Sequence, residues 1–127
     1  MATVGGNQTR ETMIAGADLS AKQFTFVIGN TTDRTVVNAT DGQAADGVLI
    51  NTPISGAAAT VVTAGRVMIE VGTGGLTAGD AVASDANGEA ITAAEADVVV
   101  GKALETAAAG TRTTIDFFRG GNVVPAA

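Results

Sequence analysis

The sequence predicts an all-β fold, a small β-barrel or sandwich of short strands with an extended N-terminal arm and a short C-terminal tail. Three observations carry this. Short β-rich runs recur every 8 to 15 residues with Gly, Asn, Asp or Pro between them, the cadence of an all-β barrel or sandwich. The one helical hint, Ala93-Ala94-Glu95-Ala96-Asp97, is a single turn, below the length at which a helix holds itself. The apolar residues are small: 25 Ala and 15 Val against 4 Phe, with no Trp or Tyr. Ile, Val, Leu and Phe sum to 30 of 127 residues, above the level of about 20% that marks disorder. The chain should therefore fold as one domain, around a thin core that gains from packing against copies of itself or a scaffold.

The elements read as follows. Residues 1–22 are polar, contain Gly and lack a period, so they read as an arm outside the core. Residues 23–118 read as the β domain. Gln23 to Ile28 alternates and ends at Gly29-Asn30. Arg34 to Asn38 follows, then the turn Asp41-Gly42, then Gly47 to Ile50, closed by Asn51-Thr52-Pro53. Ala59 to Thr63 and Arg66 to Val71 flank Ala64-Gly65, a tight hairpin candidate. Ala81 to Ala83 and Glu89 to Ile91 flank Asp85-Ala86-Asn87-Gly88, and Val98 to Leu104 is a buried strand whose Gly101 marks a bulge. Arg112 to Phe118 sets Thr113, Ile115 and Phe117 against Thr114, Asp116 and Phe118. Residues 119–127 read as a second tail.

Charge and composition exclude several function classes. The net charge is −6 and the seven basic residues are scattered singly. No basic stripe meets phosphates and few aromatics stack bases, so no nucleic-acid partner is expected. No apolar run approaches the roughly 18 residues of a membrane span, so no membrane partner is expected, and the N-terminus has no secretory signal pattern. Cys and His are both absent. A Ser or Thr nucleophile would need Lys as its base, and each Lys is isolated in sequence. No catalytic residue, cofactor, metal site or small-molecule substrate is expected.

One stretch invites chemistry, GGLTAGDAVASDANGEAI at 74–91. Gly74 and Gly79 have the glycine spacing of a phosphate loop, but that loop continues with Lys and then Ser or Thr, where this chain has Asp80 and Ala81. Asp85, Asn87 and Glu89 alternate beside Gly88. An EF-hand loop puts Gly at position 6 and Glu at position 12; counted from Asp85, Gly falls at 4 and position 12 is Ala96. Incidental calcium affinity at Asp85 stays open. The plainer reading is that Gly79-Asp80 and Asn87-Gly88 are turns that hold a short strand between them.

The succession Asp-Gly-Val-Leu-Ile-Asn at 46–51, Ala-Gly-Arg-Val-Met-Ile-Glu-Val at 64–71, Leu-Thr-Ala-Gly-Asp-Ala-Val-Ala-Ser-Asp-Ala-Asn-Gly at 76–88 and Val-Val-Gly-Lys-Ala-Leu-Glu-Thr-Ala at 99–107 resembles the capsid cement, or head decoration, proteins of tailed bacteriophages. The resemblance spans residues 24–118 and rests on order and spacing. The stretch 92–98 departs from it, where relatives often carry a Gly-rich turn. The resemblance implies a small β-barrel on the outer surface of the virion capsid, made in the host cytoplasm, often a homotrimer. Such a protein bridges subunits of the major capsid protein and stabilises the shell against DNA pressure. It also implies a capsid-binding arm, here Thr3, Val4, Gly5, Gly6, Asn7, Thr12, Met13 and Ile14, of which Thr3-Val4 and Thr12 to Ile14 suit strand addition to a partner sheet. The competing readings are a tail, fibre or surface β domain that binds a receptor or glycan, and a hydrolase that works through two carboxylates in a concave site. Alternation turns one of Phe117 and Phe118 outward. That residue either meets another subunit or packs under the tail, and Phe117, Phe118, Val123 and Val124 are the candidate subunit-interface residues.

Overall fold

The computed structural model describes residues 8–29 and 34–118. Among these residues there are nine strands and no helix. In chain order they are β1 (Gln8–Ala15), β2 (Phe26–Gly29), β3 (Thr35–Asn38), β4 (Gly47–Leu49), β5 (Ala58–Glu70), β6 (Ala81–Ser84), β7 (Ala90–Thr92), β8 (Gly101–Ala103) and β9 (Arg112–Phe117). They form one sheet in the order β1-β3-β2-β4-β5-β9-β8-β6-β7, and β1 also pairs with β5. That extra pairing closes β1, β3, β2, β4 and β5 into a five-strand ring. The fold is all-β, as the run of short strands predicts.

The long strand β5 joins the two halves of the molecule. Its first part pairs with β1 and β4, and Gly65 to Glu70 pair with β9. One parallel bridge, Val71 to Ala90, links the end of this strand back to β7. Two hydrophobic clusters result. One collects Ala15, Val27, Val36, Leu49, Ala59 and Val61, with Met13 and Leu19, drawing on all five ring strands. The other packs the opposite faces of the ring, Phe26, Val48 and Val62, against Val67, Ile69, Val82, Ile115 and Phe117. Neighbouring residues point to opposite faces of a strand, so Phe26 and Val27, or Val48 and Leu49, serve different cores. This is why β4 is buried at every position.

Three expectations are corrected. Residues 8–15, read as part of an arm, form β1. That strand pairs in antiparallel register with β5 from Gln8↔Gly65 to Ile14↔Ala58, and meets β3 in parallel at Ile14↔Thr35 and Ala15↔Val36. Its outward face, polar except for the exposed Ile14, hid it, while Met13 and Ala15 enter the ring core. Second, Ala64-Gly65 is not a hairpin turn. The chain runs through it as one 13-residue strand, and the pairing with β1 shifts between Thr9 and Arg10. The extra residue on β5 is a bulge, and Gly65 sits at φ 106, a conformation that favours glycine. Third, Gly101 marks no bulge. Its pairings with Val82 and Phe117 stay in register, and an added Cβ there would lie 2.7 Å from the Asp116 carbonyl oxygen. Close backbone approach therefore explains this glycine.

Candidate functional site

The stretch 74–91 is built as two capped turns. The Thr77 N–H donates to Asp80 Oδ2 at 2.9 Å, and the Thr92 hydroxyl donates to the same oxygen at 2.8 Å. Asp85 Oδ1 accepts the N–H of Asn87 at 2.8 Å and of Glu89 at 2.9 Å. Gly88 sits at φ 79 and its carbonyl accepts the Phe26 N–H at 2.7 Å. A Cβ at Gly88 would collide with Asn38 Nδ2 and lie 2.9 Å from the Phe26 carbonyl oxygen. The Asn87-Gly88 turn therefore seats the β6–β7 hairpin against β2 and β3. The side-chain amide of Asn38 adds bonds to Thr25 Oγ1 and the Phe26 carbonyl, both at 3.2 Å.

These acids are turn acceptors. Asp97 repeats the device, taking the Ala94 N–H at 2.9 Å in a turn where the sequence hints at a helix. Thr73, Gly74, Gly75, Asp85, Asn87 and Ile91 line a shallow depression between the turns, with no helix N-terminus to favour a phosphate. Burial, then the neighbouring carboxylates of Asp85 and Glu70, raise the Glu89 pKa above its ordinary value, with Lys22 opposing. Among the described residues, no group of three or more acids is arranged to hold a metal ion.

The predicted interface and arm residues separate. Phe117 is 1% exposed and its ring lies 6.0 Å from that of Phe26, so it is a core residue and its interface assignment is corrected. Phe118 points outward at 38% exposure. Thr12, Met13 and Ile14 lie in β1, paired with their own chain. Thr3, Val4, Gly5, Gly6, Asn7, Val123 and Val124 lie outside the described residues.

The structure brings together another surface that the sequence does not announce. On the outer face of β5, β9 and β8, Arg66 lies opposite Asp116, which lies opposite Lys102. The next row sets Met68 beside Thr114, with Leu104 following Ala103 in β8; Met68 is 43% and Leu104 38% exposed. Then come Glu70 and Arg112, in a salt bridge of 2.6 Å. A depression beside Met68 is lined by Gln8, Arg10, Phe24, Ile50 and Thr114. Phe24 holds φ 63, a left-handed conformation costly for a bulky residue. Backbone bonds fix it, from its own N–H to Leu49 and from the Glu70 N–H to its carbonyl. The Arg112 guanidinium stacks 4.8 Å above its ring.

No protein-family model matches the sequence, and no curated protein matches it. Among solved structures, the fold is similar to the N base of the head fiber gp8.5 of bacteriophage phi29, with a TM-score of 0.71 and 18% identity over 91% of this chain and 98% of that one.

Proposed function

We propose that this protein is a structural component of a phage head, without catalytic activity, that decorates the outer surface of the capsid. There it bridges subunits of the major capsid protein and stabilises the shell, assembling as a homotrimer. The carrying observation is that its whole β domain shares a fold with the base of a phage head fiber, the same compartment that the resemblance of residues 24–118 to cement proteins implies. The use of Asp80, Asp85 and Asp97 as turn acceptors favours architecture over chemistry. With residues 8–15 committed to β1, the proposed capsid-contacting arm shortens to the segment ahead of it, Thr3 to Asn7.

A second reading is favoured by the neighbour itself, which is a fiber base: the chain seats a longer projecting structure on the head. Copy number decides between them. We expect quantification against the major shell protein in purified particles to give a ratio near that of the shell subunit, as a lattice cement requires. Far fewer copies than shell subunits would favour the fiber base, and absence from particles would overturn both readings.

A further inference from the structure

We propose that Asn87 is a site of spontaneous deamidation, closed in the native fold by the seating of Gly88 against β2 and β3, and that its conversion to isoaspartate unseats the β6–β7 hairpin.

The sequence supplies the reactive pair. Of six asparagines, Asn87 alone is followed by glycine. In the first step the Gly88 backbone nitrogen bonds to the Asn87 side-chain carbonyl carbon, closing a succinimide. That nitrogen gives up its proton, and the side-chain amide nitrogen takes one and departs as ammonia. Water, the only co-reactant, then opens the ring at either carbonyl and leaves aspartate or isoaspartate. A side chain on the attacking residue crowds its nitrogen, and glycine has none. The electrophile is accessible as well. Asn87 is exposed, and its side-chain amide makes no hydrogen bond among the described residues. The side-chain amides of Asn38 and Asn51, by contrast, are tied to their surroundings.

The structure supplies the restraint. Attack requires the Gly88 nitrogen to swing toward the Asn87 side chain, and Gly88 is held on both sides. Its N–H donates to the Asp85 carbonyl at 3.2 Å, and its own carbonyl accepts the Phe26 N–H at 2.7 Å. Asn38 Nδ2 and the Phe26 carbonyl crowd its α-carbon. The Asn87 N–H is fixed in turn on Asp85 Oδ1 at 2.8 Å. Ring closure therefore waits for the turn to open, and its rate follows the open fraction of the hairpin. The isoaspartate product does not fit back. It routes the main chain through the former side chain, one methylene longer ahead of Gly88, so the Asp85 and Phe26 bonds cannot both re-form. Its new carboxylate also lies beside Asp85 and Glu89, where like charges repel. Aspartate, the other product, adds the same charge without the added length. This chemistry belongs to the turn alone, so the inference stands apart from the phage-head reading.

Peptide mapping of the aged full chain by mass spectrometry tests it, with isoaspartate resolved from aspartate by electron-transfer fragmentation. Unfolded in urea at mildly alkaline pH, Asn87 should convert about tenfold or more faster than any other asparagine. In the native chain at the same pH and temperature, its conversion should slow by about tenfold or more. Asn38→Ala removes the amide that crowds and braces Gly88. It should speed the native conversion about threefold or more and leave the rate in urea unchanged, with circular dichroism confirming that the variant is folded. The chain converted to isoaspartate, separated by ion exchange, should melt below both the wild type and Asn87→Asp. Conversion spread evenly over the asparagines in urea would overturn the site. Equal rates in the native and unfolded chain, or a native rate indifferent to Asn38→Ala, would overturn the gate. An isoaspartate form that melts with Asn87→Asp would overturn the unseating.

Discussion

Phe117 and Phe118 are adjacent and chemically identical, and the strand pleat gives them opposite lives. Phe117 fills the larger core against Phe26 and Phe118 meets solvent. Phe117→Ala should cost about 3–5 kcal/mol of unfolding free energy, and Phe118→Ala about 0.5 kcal/mol or less, both read by urea denaturation followed by circular dichroism. Equal losses would contradict the assignment of faces. Gly88 combines a positive φ with a crowded seat against Asn38 and Phe26, so Gly88→Ala should destabilise by more than about 1 kcal/mol. Glu89 has the opposite sense from a salt-bridged acid. Burial and its acidic neighbours raise its folded-state pKa, so the native form holds the proton more tightly than the unfolded chain. Stability therefore falls as pH rises from the ordinary glutamate value through the raised one. Glu89→Gln should melt higher than the wild type at neutral pH, and the gap should close below the ordinary glutamate value. A gap that ignores pH would locate the effect elsewhere.

At the scale of elements, β1 and β5 define the ring. β1 pairs with β5 along seven registered positions and lends Met13 and Ala15 to the core. Removing residues 1–15 should abolish the cooperative unfolding transition, because it opens the ring and exposes Ala59 and Val61. Removing residues 1–7 should leave the melting temperature near that of the wild type. If both truncations melt alike, β1 is not integral to the fold. The bulge on β5 sets which residues face inward beyond it. Val62 and Val67 have opposite parity, yet both enter the larger core, because the extra residue between Val62 and Ala64 resets the alternation. Deleting Thr63 should turn Val67 and Ile69 outward and prevent folding, whereas Thr63→Ala should keep the fold, as heteronuclear NMR spectra of the two would show.

For the molecule as a whole, the two cores are not separate domains. β2, β4 and β5 each give one face to either cluster, so neither half can lose its packing alone. Hydrogen exchange read by mass spectrometry should therefore show β2, β4, β5 and β9 opening in one cooperative unit, with circular dichroism tracking the same transition. Two separated transitions would show the halves to be independent. The same integration places the charged rows of β5, β9 and β8 on one continuous outer face, and the bridge from Val71 to Ala90 brings β7 back to the end of β5.

The all-β class, most strand positions and the turn role of Asn87-Gly88 follow from the sequence, because alternation, β-branched runs and glycine punctuation are local properties of the chain. Asp80 and Asp85 as turn acceptors belong with them, since each bonds backbone within four residues. Tertiary structure alone decided the rest. A strand such as β1, polar from Gln8 to Thr12, has no local signature, and becomes a strand only because β5 and β3 offer it partners. Ala64-Gly65 reads as a turn until β1 and β9 pair with the residues on both sides of it. Met68, Arg66, Asp116 and Lys102 lie up to 50 positions apart in sequence, and only the register of β5, β9 and β8 makes them one surface. Long-range pairing is set by the burial of both cores together, and no short window of sequence contains that information.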